Sequence, residues 1–271
     1  MELAGAVVVV TGAGHGIGAG LVRRFAAERP AALVVVDHDG PAASAVAART
    51  RAEHPEVRTT ELTADVVDPD QVAWFVDRTE TMFGRLDVLV ANAGYAAGGG
   101  LDASDDVWLR AWDVNLMAHV HAARLVVPRM LARGGGSFVS VASAAGLLTN
   151  LGNAPYSVSK HAAVAFAEWL AVTYGDLGLH VACVCPMGVD TQMLRSGIDR
   201  LEGASVAAER VVSVEDAADA VVAGLRSGRF LVLTHPEVAE YESHRVADRD
   251  RWLRGMQRVR REVTEQLHAR R

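Results

Sequence analysis

Along the first 235 residues, short apolar runs alternate with longer stretches whose apolar positions recur every three or four residues. Ala6–Val10 is apolar throughout and ends in Thr11-Gly12-Ala13-Gly14-His15-Gly16-Ile17-Gly18, after which a helical pattern runs to about Arg29. Ala32–Val36 closes on Asp37, a helical stretch opens at Pro41, and a third strand is predicted near Val57–Leu62. Pro69 to Phe83 reads as a helix with proline in its first turn. Strands are predicted at Leu86–Ala91, Ser137–Ala142, His180–Cys185 and Phe230–Leu233, with helical zones at Ser104–Arg133 and Ala154–Tyr174. Ser213-Val214-Glu215-Asp216 has the form of a capping box and opens a helix to about Leu225.

A strand that is apolar at every position, and not at every second one, is buried on both faces; such runs predict a parallel sheet covered by helices on each side. Repeated crossovers of helical length place the chain in the α/β class, as a doubly wound, Rossmann-type sheet of seven parallel strands. No linker or internal repeat divides residues 1–235, so they form one domain. Residues 236–271 differ: they are charged and Arg-rich, with Trp252/Leu253, Met256, Val259, Val263 and Leu267 making one narrow apolar stripe on a helix. This C-terminal helical extension belongs to the same domain, as terminal packing, a lid over a cleft or a subunit contact.

Composition narrows the class. With 50% hydrophobic residues in 271, the chain has enough apolar surface to offset the entropy of ordering, which excludes disorder. A formal charge of −6 argues against a nucleic-acid partner. No apolar stretch approaches the ~20 residues that span a bilayer, and the first residues lack the basic region of a signal peptide. Cys183 and Cys185 alternate within one strand as core thiols, so a disulfide framework is excluded and a reducing, cytoplasmic location is expected. No cysteine–histidine cluster has metal spacing, so no metal is expected. His119 and His121 are expected to be solvated or at an interface. Trp108 and Trp112 share a helical face and are expected to pack. Arg258, Arg260 and Arg261 read as a solvated helix face. The segment Gln192–Val212, with Met193, Leu194 and Ile198, is expected over the cleft, where it offers apolar contacts.

The glycine-rich turn comes directly after the first buried strand and opens into a helix. That arrangement lets backbone N–H groups approach an anion at the positive helix end, which points to a phosphate-bearing cofactor. Gly12, Gly16 and Gly18 permit the tight turn, the close phosphate approach and close helix–strand packing; Gly14, His15 and Ile17 fill the loop. Asp37 ends the second strand, where a carboxylate accepts ribose hydroxyls and repels a 2′-phosphate; with His38 and Asp39 next and no Arg or Lys in the loop, NAD is favoured over NADP.

Of 27 cationic residues only Lys160 is lysine. An Arg-biased chain that keeps one lysine suggests a site where a compact ammonium is needed. Tyr156 lies four residues earlier, on the same helical face. A nearby cation favours the phenolate and moves the phenol toward neutrality, where it acts as acid or base. Ser143 follows the fifth strand, at the carboxyl edge of the sheet, placed to hydrogen-bond a carbonyl or alcohol oxygen. His161 points about 100° away from Lys160 on the helix, which places it outside the chemistry.

With these motifs the chain resembles the compact, single-domain branch of the short-chain dehydrogenase/reductase family over about residues 5–235. The resemblance rests on Thr11-Gly12-x-x-x-Gly16-x-Gly18, Asn92-Ala93-Gly94, Asn115, Ser143, Tyr156-x-x-x-Lys160 and Pro186-x-x-Val189-x-Thr191, in order. It implies Tyr156 as acid/base, Ser143 on the reacting oxygen, and Lys160 on the nicotinamide ribose while lowering the phenol's pKa. It further implies that Asn115 anchors a relay water, that Asp65 and Val66 meet the adenine, and that Asn92, Ala93 and Gly94 floor the adenosine half. Pro186, Gly188, Val189 and Thr191 would hold the nicotinamide. Met187 stands where the family often has glycine. The implied activity is NAD-linked interconversion of a secondary alcohol and a ketone by a homodimer or homotetramer built on the 104–133 and 154–175 helices. The alternatives are an NADP-preferring carbonyl reductase and a catalytically silent NAD sensor. A nucleotide-sugar epimerase is disfavoured by His15 at the third position after Gly12 and by the short tail.

Overall fold

A computed structural model describes residues 2–207 and 209–269. Strands β1 (Val7–Thr11), β2 (Ala32–Asp37), β3 (Arg58–Thr63), β4 (Val88–Ala91), β5 (Gly136–Val141), β6 (Leu179–Cys185) and β9 (Leu231–Leu233) form one sheet in the order β3-β2-β1-β4-β5-β6-β9. Every pairing is parallel, for example Val9 opposite Val34 and Leu89. The order reverses between β1 and β4, which opens a crevice at their carboxyl ends; that crevice is where doubly wound sheets bind ligands.

The uniformly apolar strands are buried on both faces, as the sequence predicts. Alternate residues of β1 feed different cores: Val9 joins a layer with Phe75, Met130 and Phe138, while Val8 and Val10 join one with Leu21, Phe25 and Leu225. The first layer is closed by α3 (Pro69–Phe83), α5 (Ala118–Ala132) and α7 (Ala154–Tyr174), the second by α1 (Gly16–Ala26), α2 (Gly40–Glu53) and α10 (Val214–Ser227). Local signals fix helix ends. Asp68 accepts from the N–H groups of Asp70 and Gln71 ahead of Pro69, and Ser213 accepts from Asp216 N–H, the expected capping box.

The expected long helix of 104–133 is interrupted: α4 (Asp105–Trp112) and α5 are joined by a π-helical turn, Asp113–Met117, that carries Asn115. Two short strands, β7 (Gly188–Val189) and β8 (Val211–Val212), pair with each other and frame α8 (Gln192–Gly197) and α9 (Leu201–Ala207). A short α6 (Ala145–Leu148) follows Ser143. The tail divides into α11 (Glu237–Ala247) and α12 (Arg249–Ala269), which share a Tyr241–Trp252 ring contact at 6.4 Å.

Three expectations are corrected. His119 is neither solvated nor at a surface: it is fully buried under the sheet, with its Nδ1 3.0 Å from Ser140 Oγ, because the π turn rotates it inward. Trp112 packs only in part, being 42% exposed, while Trp108 is half-buried. The tail's stripe is split: Val263 is buried, but Leu253 is half exposed and faces away. Cys183 and Cys185 are buried free thiols with sulfurs 3.8 Å apart, as expected from their same-face spacing. No helix among the described residues is long and apolar enough to cross a membrane, and no three-residue metal cluster occurs among them.

Candidate active site

At the carboxyl ends of the strands lies a cleft of roughly 1160 Å³. One end is built from the turn after β1. Gly12 has φ +60°, and a Cβ there would lie 2.7 Å from Ala93 Cα; a Cβ on Gly18 would collide with the Gly12 carbonyl oxygen. Only glycine allows α1 to begin this close to the loop. Thr11 and Asn92 tie the turn to β4: Asn92 N–H donates to Thr11 Oγ1 (3.0 Å), and the Asn92 amide donates to the carbonyls of Thr11 (2.9 Å) and Gly12 (3.0 Å).

Asp37 is almost wholly buried in the same end, where it accepts from Gly14 N–H (2.8 Å) and Asp39 N–H (3.0 Å). His38 lies 3.0 Å from Asp37 and His15 3.1 Å from Asp39, so each imidazole is paired to an acid. Asp39 is held below the ordinary carboxylate range by the Ala42 N–H and by His15. Asp65 and Val66 line the wall, with Arg110 3.6 Å from Asp65 at the lip. His15, Gly16, Ile17, Ala93, Gly94, Pro186, Val189 and Thr191 also face the cleft, the last capping α8 by accepting from Leu194 N–H. Gly14 and Gly188 do not: Gly14 packs against Asp37 and Ala42, and Gly188 lies in β7 against the Arg210 carbonyl.

The cradle fits a dinucleotide. Its loop is shaped by glycines that admit no Cβ, the first helix begins at it, and a buried carboxylate ends the next strand on the same cleft.

The other end holds the candidate catalytic groups. Ser143, Tyr156 and Lys160 line the cleft together; Ser143 and Lys160 are buried, and Ser143 Oγ accepts from Ala145 N–H (3.1 Å). Asn153 caps α7 by accepting from Tyr156 N–H, which fixes where the phenol enters the cleft. Lys160 Nζ donates to the Val141 carbonyl (2.9 Å) and lies 5.8 Å from the centre of the Tyr156 ring. Burial lowers the ammonium's pKa to about 8. Burial raises the Tyr156 phenol, opposed by its hydrogen bond with Ser143. The lowering expected from Lys160 is not realised in this arrangement, because the ammonium is directed at Val141.

Asn115 does not line the cleft. It is buried behind it, where its Oδ1 accepts from Tyr95 N–H (2.8 Å) and its Nδ2 donates to the Tyr95 carbonyl (2.9 Å) and Ser159 Oγ (2.9 Å). Ser159 in turn donates to the Tyr156 carbonyl (3.0 Å), so the π turn braces the helix that carries the acid/base candidates. The mouth is walled by residues that spacing alone did not single out: Tyr95, Met187, Arg200 and Tyr241. Met193 and Leu194 face the cleft as expected; Ile198 does not and is 39% exposed. Trp252, Met256 and Val259 of α12 also face it, so the tail forms a wall of the cleft.

A short chain dehydrogenase family model matches residues 6–201. The chain is 35% identical over 241 residues to 1-deoxy-11-beta-hydroxypentalenate dehydrogenase of Streptomyces exfoliatus, covering 88% of this chain and 86% of that protein. A short-chain dehydrogenase/reductase of Burkholderia phymatum solved with NAD superposes with a TM-score of 0.83 at 28% identity, covering 92% of this chain and 96% of that one. L-sorbose reductase of Gluconobacter frateurii, solved with NADPH and L-sorbose, gives 0.77 at 28% identity, covering 86% and 97%. The chain therefore belongs to the short-chain dehydrogenase/reductase family, as an alcohol dehydrogenase or ketoreductase that uses NAD or NADP.

Proposed function

We propose that this protein interconverts a secondary alcohol and a ketone on an alicyclic, largely apolar substrate, with NAD preferred over NADP and with Tyr156 as the acid/base. The observation that carries the reading is the shared cleft: Ser143, Tyr156 and Lys160 stand at one end and the buried Asp37 at the other. Gly12, Gly16 and Gly18 would admit the pyrophosphate, Asp37 the adenosine ribose, and Lys160, Pro186, Val189 and Thr191 the nicotinamide half. Bound there, the nicotinamide supplies or accepts the hydride.

The chain's own residues do the rest. Ser143 Oγ donates to the substrate oxygen and polarises it. The Tyr156 hydroxyl takes the alcohol proton during oxidation and returns it during reduction, a transfer typically worth ~10²–10⁴-fold. The Ser143 hydrogen bond favours the phenolate that forms, Lys160 would hold the nicotinamide ribose, and the Asn115–Ser159 brace keeps Tyr156 in register. Asp37 sets the cofactor choice, since a carboxylate with both oxygens already accepting protein N–H groups offers no counter-charge to a 2′-phosphate. The mouth residues Met187, Trp252 and Met256 supply the apolar contact, and the resemblance to a dehydrogenase named for a hydroxylated pentalenate agrees with a ring substrate.

Exposed Leu109 and Trp112 on α4, and Val158, Trp169 and Val172 on α7, support a homodimer or homotetramer built on these helices; light scattering would check it. The decisive experiment follows NADH absorbance with aliphatic, alicyclic and steroid alcohols in the presence of NAD or NADP. Turnover of alicyclic alcohols with NAD, lost in Tyr156→Phe, is expected. Absence of turnover with every alcohol and with the corresponding ketones would leave the silent sensor as the better reading.

A further inference from the structure

Helix α12 presents two rows to the cleft. One is apolar: Trp252, Met256 and Val259. The other is Arg251, Gly255 and Arg258, spaced by four and three residues and so stacked on one face. Helical side chains lean toward the N-terminus, and the Arg258 guanidinium does so: its Nη2 lies 3.9 Å from where a Cβ on Gly255 would stand. Gly255 therefore leaves a bare patch of helix flanked by two guanidiniums at the cleft wall.

Neither guanidinium is in an ion pair or side-chain hydrogen bond among the described residues, although most other cleft charges are accounted for. Glu202 pairs with Arg200 (2.8 Å), Glu209 accepts from the Tyr241 hydroxyl (3.2 Å), and Asp248 accepts from Arg251 N–H at the start of α12 (2.9 Å). Glu262, one turn beyond Arg258, faces the cleft without an ion pair within 4 Å among the described residues. Glu209 and Asp248 are met by neutral donors and keep their charge, so the two guanidiniums stand out by position: both are unpaired among the described residues and face the cleft on either side of Gly255, next to the apolar row.

Building on the dehydrogenase reading, we propose that the substrate is an amphipathic alicyclic alcohol bearing a carboxylate, which Arg251 and Arg258 hold over Gly255 while the ring body lies on Trp252 and Met256. The planar guanidinium fork matches a carboxylate in two parallel hydrogen bonds, and the glycine removes the side chain that would stand between them. The reacting hydroxyl is then presented to Tyr156 from a molecule fixed at its far end.

The test uses three alicyclic hydroxy acids of increasing size (a hydroxycyclohexane, a hydroxydecalin and a 3-hydroxysteroid carboxylate), each beside its methyl ester, with NAD. For the size class that is turned over, kcat/KM is expected to favour the acid over its ester by about tenfold or more, mainly through KM, and to lose that margin as salt is raised. In Arg251→Gln/Arg258→Gln the acid-to-ester ratio is expected to fall to within about threefold of unity. Because it is a ratio measured in one protein, impaired folding of the variant cannot mimic it. Parity of acid and ester in the wild type, or a ratio kept by the double variant, overturns the proposal while leaving the dehydrogenase reading intact. If no pair is turned over, the dehydrogenase reading fails, and equilibrium dialysis of the same acids and esters decides this one: acid binding about tenfold tighter upholds it, and equal or absent binding overturns it.

Discussion

Lys160 and Tyr156 share one face of α7, with the ammonium 5.8 Å from the phenol ring's centre yet donating to the Val141 carbonyl at 2.9 Å. A buried ammonium held by one neutral carbonyl is costly, and its pKa falls from 10.5 to about 8. The sign of the linkage follows. Between pH 8 and 10.5 the unfolded chain keeps a proton that the folded chain has released, so the penalty is complete below pH 8 and relieved as pH rises. Relative to Lys160→Met, the wild type should gain on the order of 3 kcal/mol in unfolding free energy across that range. Urea unfolding at pH 7, 9 and 10.5 measures it; a constant difference between the two proteins would show that Lys160 is not strained by burial.

Removing the phenolic hydroxyl tests the chemistry separately. Tyr156→Phe is expected to lower turnover by ~10²-fold or more while the NADH dissociation constant changes by less than about threefold, because the ring still fills its place and only the proton donor is gone. Lys160→Arg should also fail, since a planar fork cannot replace the ammonium between the ring and Val141. Stopped-assay kinetics and NADH fluorescence titration read the two effects independently. Near-normal turnover in Tyr156→Phe would remove the phenol from the mechanism.

The layered parallel sheet is visible in the chain, and so are the residues that the fold brings to one cleft. Uniformly apolar runs such as Ala32–Val36 can be satisfied only between two helical layers, and the scarcity of lysine by itself isolates Lys160. What the pattern hides is what depends on a single long-range bond. Asn115, in the π turn, binds Tyr95 and Ser159 across the molecule, and His119, two residues past that turn, lies in the core, a placement that local periodicity does not encode. The wall made by α12 was equally hidden: its stripe reads the same whether Trp252 packs on Tyr241 in its own chain or on a second subunit.

In the proposed function Asp37 sets cofactor choice through charge, and its two hydrogen bonds to Gly14 and Asp39 mean that truncation would also loosen the loop. Asp37→Asn keeps an acceptor and removes the charge. It is expected to raise the ratio of kcat/KM for NADP over NAD by about tenfold, on the scale of one lost like-charge contact. An unchanged ratio would assign selectivity to another residue.

Deleting residues 249–271 removes the wall that carries Trp252 and Met256 but nothing that faces Asp37. The Michaelis constant for the alcohol should rise about tenfold or more, while NADH affinity stays within about threefold of its value, as expected when only the substrate end loses apolar contact. Retention of the wild-type Michaelis constant would make α12 a packing element only.

His119 gives the opposite pH arm from Lys160. Its ring is fully buried, Nδ1 meets Ser140 Oγ, and Nε2 has no hydrogen-bond partner among the described residues. Burial, reinforced by the Lys160 charge, lowers its pKa from 6.5 to about 3. From pH 6.5 down to 3 the unfolded chain takes up a proton that the folded chain refuses, so stability falls on acidification throughout that range, by up to an amount on the order of 5 kcal/mol. His119→Gln keeps a polar side chain that does not titrate. Its unfolding free energy should therefore fall less steeply than the wild type's between pH 7 and pH 4 in urea titrations, even where its stability at pH 7 is lower. Parallel acid arms in the two proteins would mean that His119 takes up its proton without unfolding the chain.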